Sequence, residues 1–575
     1  MNKFLRVIVS LAVASATSLF AIPAQAIPSN VATLPAGFSV FGAKAFGTDM
    51  FVYGEKVATG VDQLVGYFVD FQGNISDPHV FDNWLGGAGT VSQQPFISLK
   101  NNALAFAWTT VNTTTFVSNI KVAFATLTPA DDLAWGQSIS VAPTYTGLVS
   151  SCDYSCGYGQ ATIAQDPTGR VGISFQLAHS NNPSDSKSYG LVTSTNLTRW
   201  ATPILKSTNA ANGFLGNISL TALASGGFTL EANQFNYFGG RTDYMITSLW
   251  LPGKKVFSSI KVLTDTAVGA PIDNLIKITS TKYLRLIQDQ PDASNSNTAL
   301  LCYRILDTKA KTWSGKTCFD QLLDGQVMDH NVVATDDNAG LISFVFATAP
   351  WDNQANHYLT STIREFEISN GTVPTSISTI GTSFNPIDSV ALYSTPSDNL
   401  EYVYFSNNSL NRALIAGGPM GSPEVLLTTD PSSYNEYFQA DQTQFQTPAI
   451  VEQGSMGLGA TVRFILDDSA PVLAKLHTIS GTAKVGKTLK TSIPLFNSPA
   501  GYSASTFQWY SCGAKMFVHF NDIPTPGVCN PIPGATNQNY KIRKQDKGYY
   551  IAVAATNHNT VGSTTVLSNA TSVIK

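Results

Sequence analysis

The chain has 575 residues, 43% of them hydrophobic and 13% charged, with 44 glycines and 28 prolines. The charged share is about half of what soluble domains usually carry, which excludes a disordered chain, a coiled coil and a highly charged helical protein. Lys+Arg 34 against Asp+Glu 38 gives a net charge of −4, so no basic field draws phosphates and no nucleic-acid partner is expected.

Residues 1–26 read as a signal peptide. Lys3 and Arg6 open it, an apolar stretch runs from Val7 to Ile22, and Pro23-Ala24-Gln25-Ala26 supplies the small-residue cleavage pattern. Ser10, Ser15, Thr17 and Ser18 interrupt the apolar stretch, which falls short of the ~20 residues of a membrane span. Cleavage removes two positive charges and no negative one, taking the net charge from −4 to −6. The expected product is secreted or held at the cell surface, with no membrane span in the mature protein.

The propeller reading covers 27–468 and rests on a repeat. Ala161–Gln165, Val171–Ala178, Tyr189–Thr193 and Trp200–Leu205 form one sentence of four short strands, with the turn Asp166-Pro167-Thr168-Gly169 after the first. The same grammar runs through Asn217–Leu263 and Asn331–Ile380. The first hairpin turn of each unit falls near Thr48, Asn102, Gly169, Gly227, Thr281, Gly340, Asn399 and Gly457, at intervals of 54, 67, 58, 54, 59, 59 and 58 residues. Alternating runs with Gly, Asn and Asp turns at that spacing predict antiparallel four-stranded sheets in series. One such sheet cannot bury both faces alone, and radial packing of many copies can. The predicted fold is therefore all-β: a seven- or eight-bladed β-propeller. Seven units are complete. The eighth, Thr447–Asp468, supplies only an inner hairpin, to which Ile27–Pro35 can lend an outer strand. A parallel β-helix would need shorter and more regular coils.

The six cysteines fall into local pairs: Cys152/Cys156, Cys302/Cys318 and Cys512/Cys529. Disulfides suit an oxidising destination, and the absence of C-x-x-C and of finger-spaced His argues against zinc. Cys302 and Cys318 flank the Asp307–Lys311 turn and are placed to face each other across a hairpin. Cys152 and Cys156 close a tiny loop before an inner strand.

Ser194-Thr195-Asn196-Leu197-Thr198-Arg199-Trp200 resembles the S-x-D-L-x-x-W phrase of glycoside hydrolase propellers. Asp307-Thr308-Lys309-Ala310-Lys311-Thr312-Trp313 resembles a stretched sialidase Asp-box, and Asp131-Asp132-Leu133-Ala134-Trp135 is a third variant. The resemblance implies structural turns, with an Asx side chain bonding the turn backbone and the Trp packed between blades. It does not extend to sialidase chemistry, because 37–160 contains no Arg at all.

Residues 469–476 read as a linker, and 477–575 as a separate module. Its wording is Gly481-Thr482-Ala483-Lys484-Val485-Gly486-Lys487-Thr488-Leu489, then Phe507-Gln508-Trp509-Tyr510-Ser511-Cys512, then Cys529 and Ile532-Pro533-Gly534-Ala535-Thr536. Tyr540, Asp546-Lys547-Gly548 and a strand from Ile551 to Asn557 follow. This resembles the Ig-like repeat of exported proteins of actinobacteria and relatives. The resemblance implies a small β-sandwich with Trp509 in its core and Cys512–Cys529 as a staple, used as a spacer or adhesive unit. Lys515–Thr525 departs from the family's compact form, as a specialised loop or an insertion.

Candidate chemistry sits where inner strands begin. Pro271-Ile272-Asp273, Val327-Met328-Asp329-His330 and Pro386-Ile387-Asp388 each place an acid there. In a closed ring, Asp273, Asp329 and Asp388 converge on one mouth, where they can hold a calcium ion or supply an acid/base pair with His330 nearby. The plainer reading makes each a turn cap. No other cofactor or metal is expected. Loops on the same face offer Tyr237, Arg241, Trp351 and Asp352, a combination that stacks on sugar faces and hydrogen-bonds hydroxyls. Glu231, in an alternating strand, reads as a satisfied polar position. The chain has no G-x-S-x-G, H-E-x-x-H or P-loop. The expected function is therefore non-catalytic recognition of an extracellular glycan or surface protein. The alternative is a glycoside hydrolase or polysaccharide lyase working through the mouth carboxylates.

Overall fold

Alternation between apolar and polar positions makes antiparallel strands of these segments, and Gly, Asn and Asp turns end them. Val171–Ala178 pairs on one side with Gly157–Gln165 and on the other with Lys187–Ser194, whose outer neighbour is Ile204–Ser207. The computed structural model describes residues 29–46, 49–58, 61–70, 72–84, 89–90, 96–99, 103–111, 117–127, 133–146, 157–178, 187–207, 213–236, 243–260, 263–265, 275–289, 298–336, 341–352, 357–358, 361–369, 371–383, 387–394, 400–406, 409–415, 424–428, 435–442, 448–454, 460–465, 471–497, 504–520, 528–558 and 563–575. Among these the chain is all-β, with one 3-10 turn at Lys544–Asp546 and no α-helix. No described helix is long and apolar enough to cross a membrane.

Eight antiparallel sheets of four or more strands follow one another between Ser29 and Ile465 among the described residues. From innermost strand outward, the first is Phe38–Phe46, Asp49–Ala58, Val61–Val69 and His79–Trp84. The second sets Gly89–Thr90 and Phe96–Ser98 against Ala103–Val111, then Val117–Leu127 and short outer pieces. The third is the sheet of Val171–Ala178. The fourth runs Gly213–Ala222, Phe228–Asn236, Asp243–Trp250 and Ser258–Ser259. The fifth runs Ile276–Lys277, Lys282–Asp289 and Thr298–Asp307, with Thr312–Trp313 and Thr317–Asp324 outside. The sixth is Gln326–Asp336, Leu341–Ala349, Ser361–Ser369 and Ser378–Ser383; the seventh is Ile387–Ser394, Leu400–Ser406, Ser409–Ile415 and Glu424–Thr428. The eighth is Asn435–Gln442, Pro448–Gly454, Ala460–Ile465 and, as its outer strand, Ser29–Thr33.

The core lies between the sheets. Phe51, Phe81, Phe106, Trp108 and Trp135 fill the seam of the first and second sheets, Phe51 edge-on to Phe106 at 5.7 Å. Val122, Ile173 and Phe175 join the second to the third, and Leu191, Leu230 and Phe228 the third to the fourth. Leu249, Tyr283 and Leu306 join the fourth to the fifth, and Leu286, Phe344 and Phe366 the fifth to the sixth. The innermost strands of the sixth, seventh and eighth sheets touch in succession. Val451, Val462 and Phe464 of the eighth pack with Phe38, Met50 and Val52 of the first, which completes the cycle. Each fully buried large side chain contributes about 2 kcal/mol or more, so the seams with described apolar clusters are strong joins.

Polar ties cross the seams at repeat spacing. The Asp166 carboxylate is fully buried; one oxygen accepts from Thr168 N, Thr168 Oγ1 and Arg170 N, and the other from Gly227 N of the next sheet at 2.8 Å. Ala224 N donates to Tyr283 Oη across the next seam at 2.7 Å. The Asx turns predicted from sequence are present: Asn196 Oδ1 accepts from Thr198 N and Arg199 N, and Asp307 Oδ1 from Lys309 N and Ala310 N. Trp135, Trp200 and Trp313 each pack into an inter-sheet cluster. The Cys302–Cys318 disulfide joins directly paired residues, and Cys512–Cys529 is also formed. Cys152 and Cys156 lie outside the described residues.

The eighth unit differs from the sequence expectation. The hairpin Pro448–Gly454/Ala460–Ile465 is the middle of its sheet, and the innermost strand is the preceding Asn435–Gln442. The turn near Gly457 is thus a second hairpin turn, which equal spacing disguised as a first one. Ser29–Thr33 does take the outer place, antiparallel to Ala460–Ile465.

Val472–Lys475, inside the stretch expected to be a linker, is a strand paired with Leu495–Asn497. Beyond it a five-stranded sheet (His519–Phe520, Ser563–Leu567, Tyr550–His558, Thr506–Cys512, Cys529–Pro531) accompanies a three-stranded one (Ile479–Ser480, Thr488–Thr491, Asn539–Lys541). Fully buried Trp509 stacks on Tyr540 at 5.4 Å and donates from Nε1 to Asn537 O. Asp546 accepts from Tyr540 Oη and Arg543 N, which fixes the Asp-Lys-Gly turn.

Replacing Asp166 with Ala strands Gly227 N and the turn amides in a buried seam. Asp166→Ala is expected to lower unfolding free energy by about 2–4 kcal/mol, against about 1 kcal/mol or less for Asp307→Ala at its exposed turn, as read by denaturant unfolding.

Candidate functional site at the rim of the innermost strands

Six innermost strands slip register against their second strand in their leading part. The slip falls at Phe41 in the first sheet, at Gly159-Gln160 opposite the single Gln176 in the third, at Gly216-Asn217 opposite the single Asn233 in the fourth, and at Met328, Asp388 and Glu436 in the sixth, seventh and eighth. A bulge of this kind takes a backbone N–H out of the ladder and re-aims the strand. The neighbouring sheet supplies the missing acceptor. Val40 N donates to Gln453 Oε1 at 2.7 Å, Tyr158 N to Ser118 Oγ at 2.9 Å, and Val327 N to Gln288 Oε1 at 3.0 Å. In all three the donor directly precedes the bulge and the acceptor belongs to the preceding sheet.

Every sheet repeats the same strand order around the cycle, so the leading ends of the innermost strands share one rim. Its composition is lopsided. The third and fourth sheets bring Gly, Gln and Asn. The sixth, seventh, eighth and first bring Asp329 beside its bulge, then Asp388, Glu436 and Phe41. Phe41 is 41% exposed, on a strand where Val40 and Gly42 are buried.

Of the residues singled out from sequence, the structure brings Asp329, His330, Asp388, Trp351 and Asp352 to this rim. Asp329 and His330 pair in register with Ala347 and Phe346 of the second strand. Trp351-Asp352 pairs with His357-Tyr358 as a small hairpin between the second and third strands of the sixth sheet. That second strand ends at Ala349, the partner of Gln326, which puts the hairpin at the same rim. Asp273, Tyr237 and Arg241 lie outside the described residues.

The chain reaches the sixth sheet through one residue. Thr317–Asp324 closes the fifth sheet, Gln326 opens the sixth, and Gly325 between them has φ 104°. A Cβ on Gly325 would lie 2.1 Å from the Ala349 carbonyl carbon and oxygen. Asp324 fastens the crossing by accepting from Thr348 Oγ1 at 3.1 Å, Thr362 Oγ1 at 2.7 Å and Arg364 Nη2 at 2.5 Å. Partial burial alone would raise the Asp324 carboxyl. The Thr362 and Arg364 hydrogen bonds and the Arg364 charge outweigh it and hold the group below the usual carboxylate range.

Glu231 lies away from the rim, buried between the fourth and fifth sheets and ion-paired with Arg285. Burial pushes the Arg285 guanidinium down to about 9. The position expected from sequence to be satisfied is ion-paired through one oxygen, with a partner 54 residues away in the chain that periodicity did not reveal, while Glu231 Oε1 has no hydrogen-bond partner. Glu436 and Phe41 were missed as well. Both are bulge residues, and only the pairing registers mark them out.

No protein-family model matches the sequence, and no curated protein is similar to it. Similar solved structures include polysaccharide lyase Uly1, at 11% identity over 76% of this chain and 90% of that one, TM-score 0.37. The β-propeller domain of the Trilobed protease from Pyrococcus furiosus is 10% identical over 63% and 89%, TM-score 0.33. The GH93 α-L-arabinofuranosidase of Fusarium graminearum is 13% identical over 59% and 97%, TM-score 0.33.

A depressed carboxyl stabilises the fold above its unfolded value of about 3.9 and loses that contribution as pH falls through the folded value. Asp324→Asn is therefore expected to be less stable than the parent at neutral pH, and to show a shallower loss of stability below about pH 4. Urea unfolding across a pH series checks both.

Proposed function

We propose that the chain is an exported eight-bladed β-propeller carrying an Ig-like module, and that its rim across the sixth, seventh, eighth and first sheets engages an extracellular glycan. The observation that carries the reading is the placement of Asp329, Asp388, Glu436 and Phe41 on successive innermost strands, beside the Trp351–Tyr358 hairpin. Aromatic rings stack on the C–H faces of sugars, and carboxylates accept from their hydroxyls. That set of groups fits a sugar better than a surface protein. Rim carboxylates on a chain of net charge −4 repel polyanions, which favours a neutral glycan over a uronic-acid polymer.

The second reading is cleavage, and the presence of acids on three adjacent strands favours it. Glycoside hydrolysis needs two carboxyls flanking one bond, one protonated and one ionised. Hydrolysis suits this rim better than elimination from a uronide, whose carboxylate needs cationic neighbours.

A panel of neutral and acidic polysaccharides tests both readings, followed by binding, by release of reducing ends and by the ultraviolet absorbance of unsaturated uronides. Phe41→Ala is expected to weaken binding of a neutral glycan about tenfold. If the protein is a hydrolase, Asp388→Asn or Glu436→Gln is expected to cut turnover by about a hundredfold or more while leaving binding nearly intact. Loss of binding on chelation, restored by calcium, would place that ion among the rim acids. Binding and turnover unchanged in all three variants would remove the rim from the proposal.

A further inference from the structure

A second cluster lies in the fifth sheet and owes nothing to the rim acids. One carboxylate oxygen of Asp289 and the sulfurs of Cys302 and Cys318 all lie within 4.8 Å of one another. Strand register explains the grouping. Asp289 ends the second strand opposite Leu300, Cys302 pairs with Ile287 on the same face, and Cys318 stands directly across from Cys302 on the next strand. Asp289 is 8% exposed and Cys302 fully buried, while Cys318 is partly accessible. Lys316 Nζ donates to Asp289 Oδ2 at 2.6 Å, and Asp289 Oδ1 has no hydrogen-bond partner. A buried carboxylate oxygen left without a partner is costly, and it leaves Asp289 one oxygen to offer while Lys316 holds the other.

We propose that reduction of the Cys302–Cys318 disulfide converts this cluster into a zinc site, with Cys302, Cys318 and Asp289 as ligands. In the oxidised protein the two sulfurs spend their binding capacity on each other. A dithiol reductant opens the bond: its two thiols become a cyclic disulfide, and two protons and two electrons pass to Cys302 and Cys318 as thiols. Zinc then displaces both thiol protons and takes the ionised Asp289 carboxylate as third ligand. Two thiolates and one carboxylate around Zn2+ leave a net charge of −1, which the Lys316 ammonium balances in place. Two sulfurs and one oxygen suit zinc among the common divalent ions, and a fourth position remains for water. The site is redox-gated, because the same two sulfurs serve either as staple or as ligands.

The test uses the full chain, reduced with a dithiol, freed of it anaerobically and titrated with zinc chloride. Peptide-resolved alkylation reads each cysteine separately. Zinc is expected to protect Cys302 and Cys318 from alkylation while leaving Cys152, Cys156, Cys512 and Cys529 reactive, with about two protons released per zinc bound. Asp289→Asn is expected to weaken that protection at least about tenfold. The oxidised chain, and the reduced chain with its thiols blocked, are expected to show no such uptake. Equal protection of all six cysteines would overturn the proposal. So would uptake unaffected by blocking, or failure of zinc to protect Cys302 and Cys318, including through unfolding of the reduced chain.

Discussion

A four-stranded antiparallel sheet with two apolar faces cannot hide either face by itself, and this protein depends on that constraint. Phe106 and Trp108 in the second sheet are shielded by the first, Phe228 in the fourth by the third, and Phe344 in the sixth by the fifth. A row of sheets would leave two faces bare at its ends. Packing of the eighth sheet on the first removes both, and Ser29–Thr33 ties the start of the chain into the last sheet. Buried polar groups follow the same logic. Asp166 is satisfied partly by its own turn and partly by the next sheet, so it holds only when both are in place.

The bulges join this architecture to the rim. Each would leave an amide without its ladder partner, and Gln453, Ser118 and Gln288 reach across seams to three of them. The sheet that buries a neighbour's apolar face therefore also fixes the strand that carries rim residues. Gly325 and Asp324 add a second constraint at the sixth sheet, where one residue of chain separates two sheets.

The C-terminal unit is joined to the rest by more than its chain connection. Leu473, Leu476, Phe496, Val518 and Val566 belong to the same buried cluster as Phe38, Val451 and Phe464. Val518 directly precedes His519–Phe520, which adds an edge strand beside Val566–Leu567. This part of the C-terminal unit thus supplies apolar surface to the seam where the cycle closes.

The sequence by itself determined the strands, their hairpin turns, the Asx turns at Asn196 and Asp307 and the pairing of Cys302 with Cys318. All of these rest on contacts between residues close in the chain, which leave a local periodicity. It also marked Asp329, Asp388 and Trp351 as residues at strand starts and loops. Only the tertiary structure decided that the eighth sheet begins at Asn435, because the spacing of one hairpin turn looks like that of another. Only it brought Glu436 and Phe41 into the rim, paired Glu231 with Arg285 and set Asp289 beside the disulfide. Those relations depend on register between strands and packing between sheets, where partners far apart in the chain meet, and no alternation along a single strand records them.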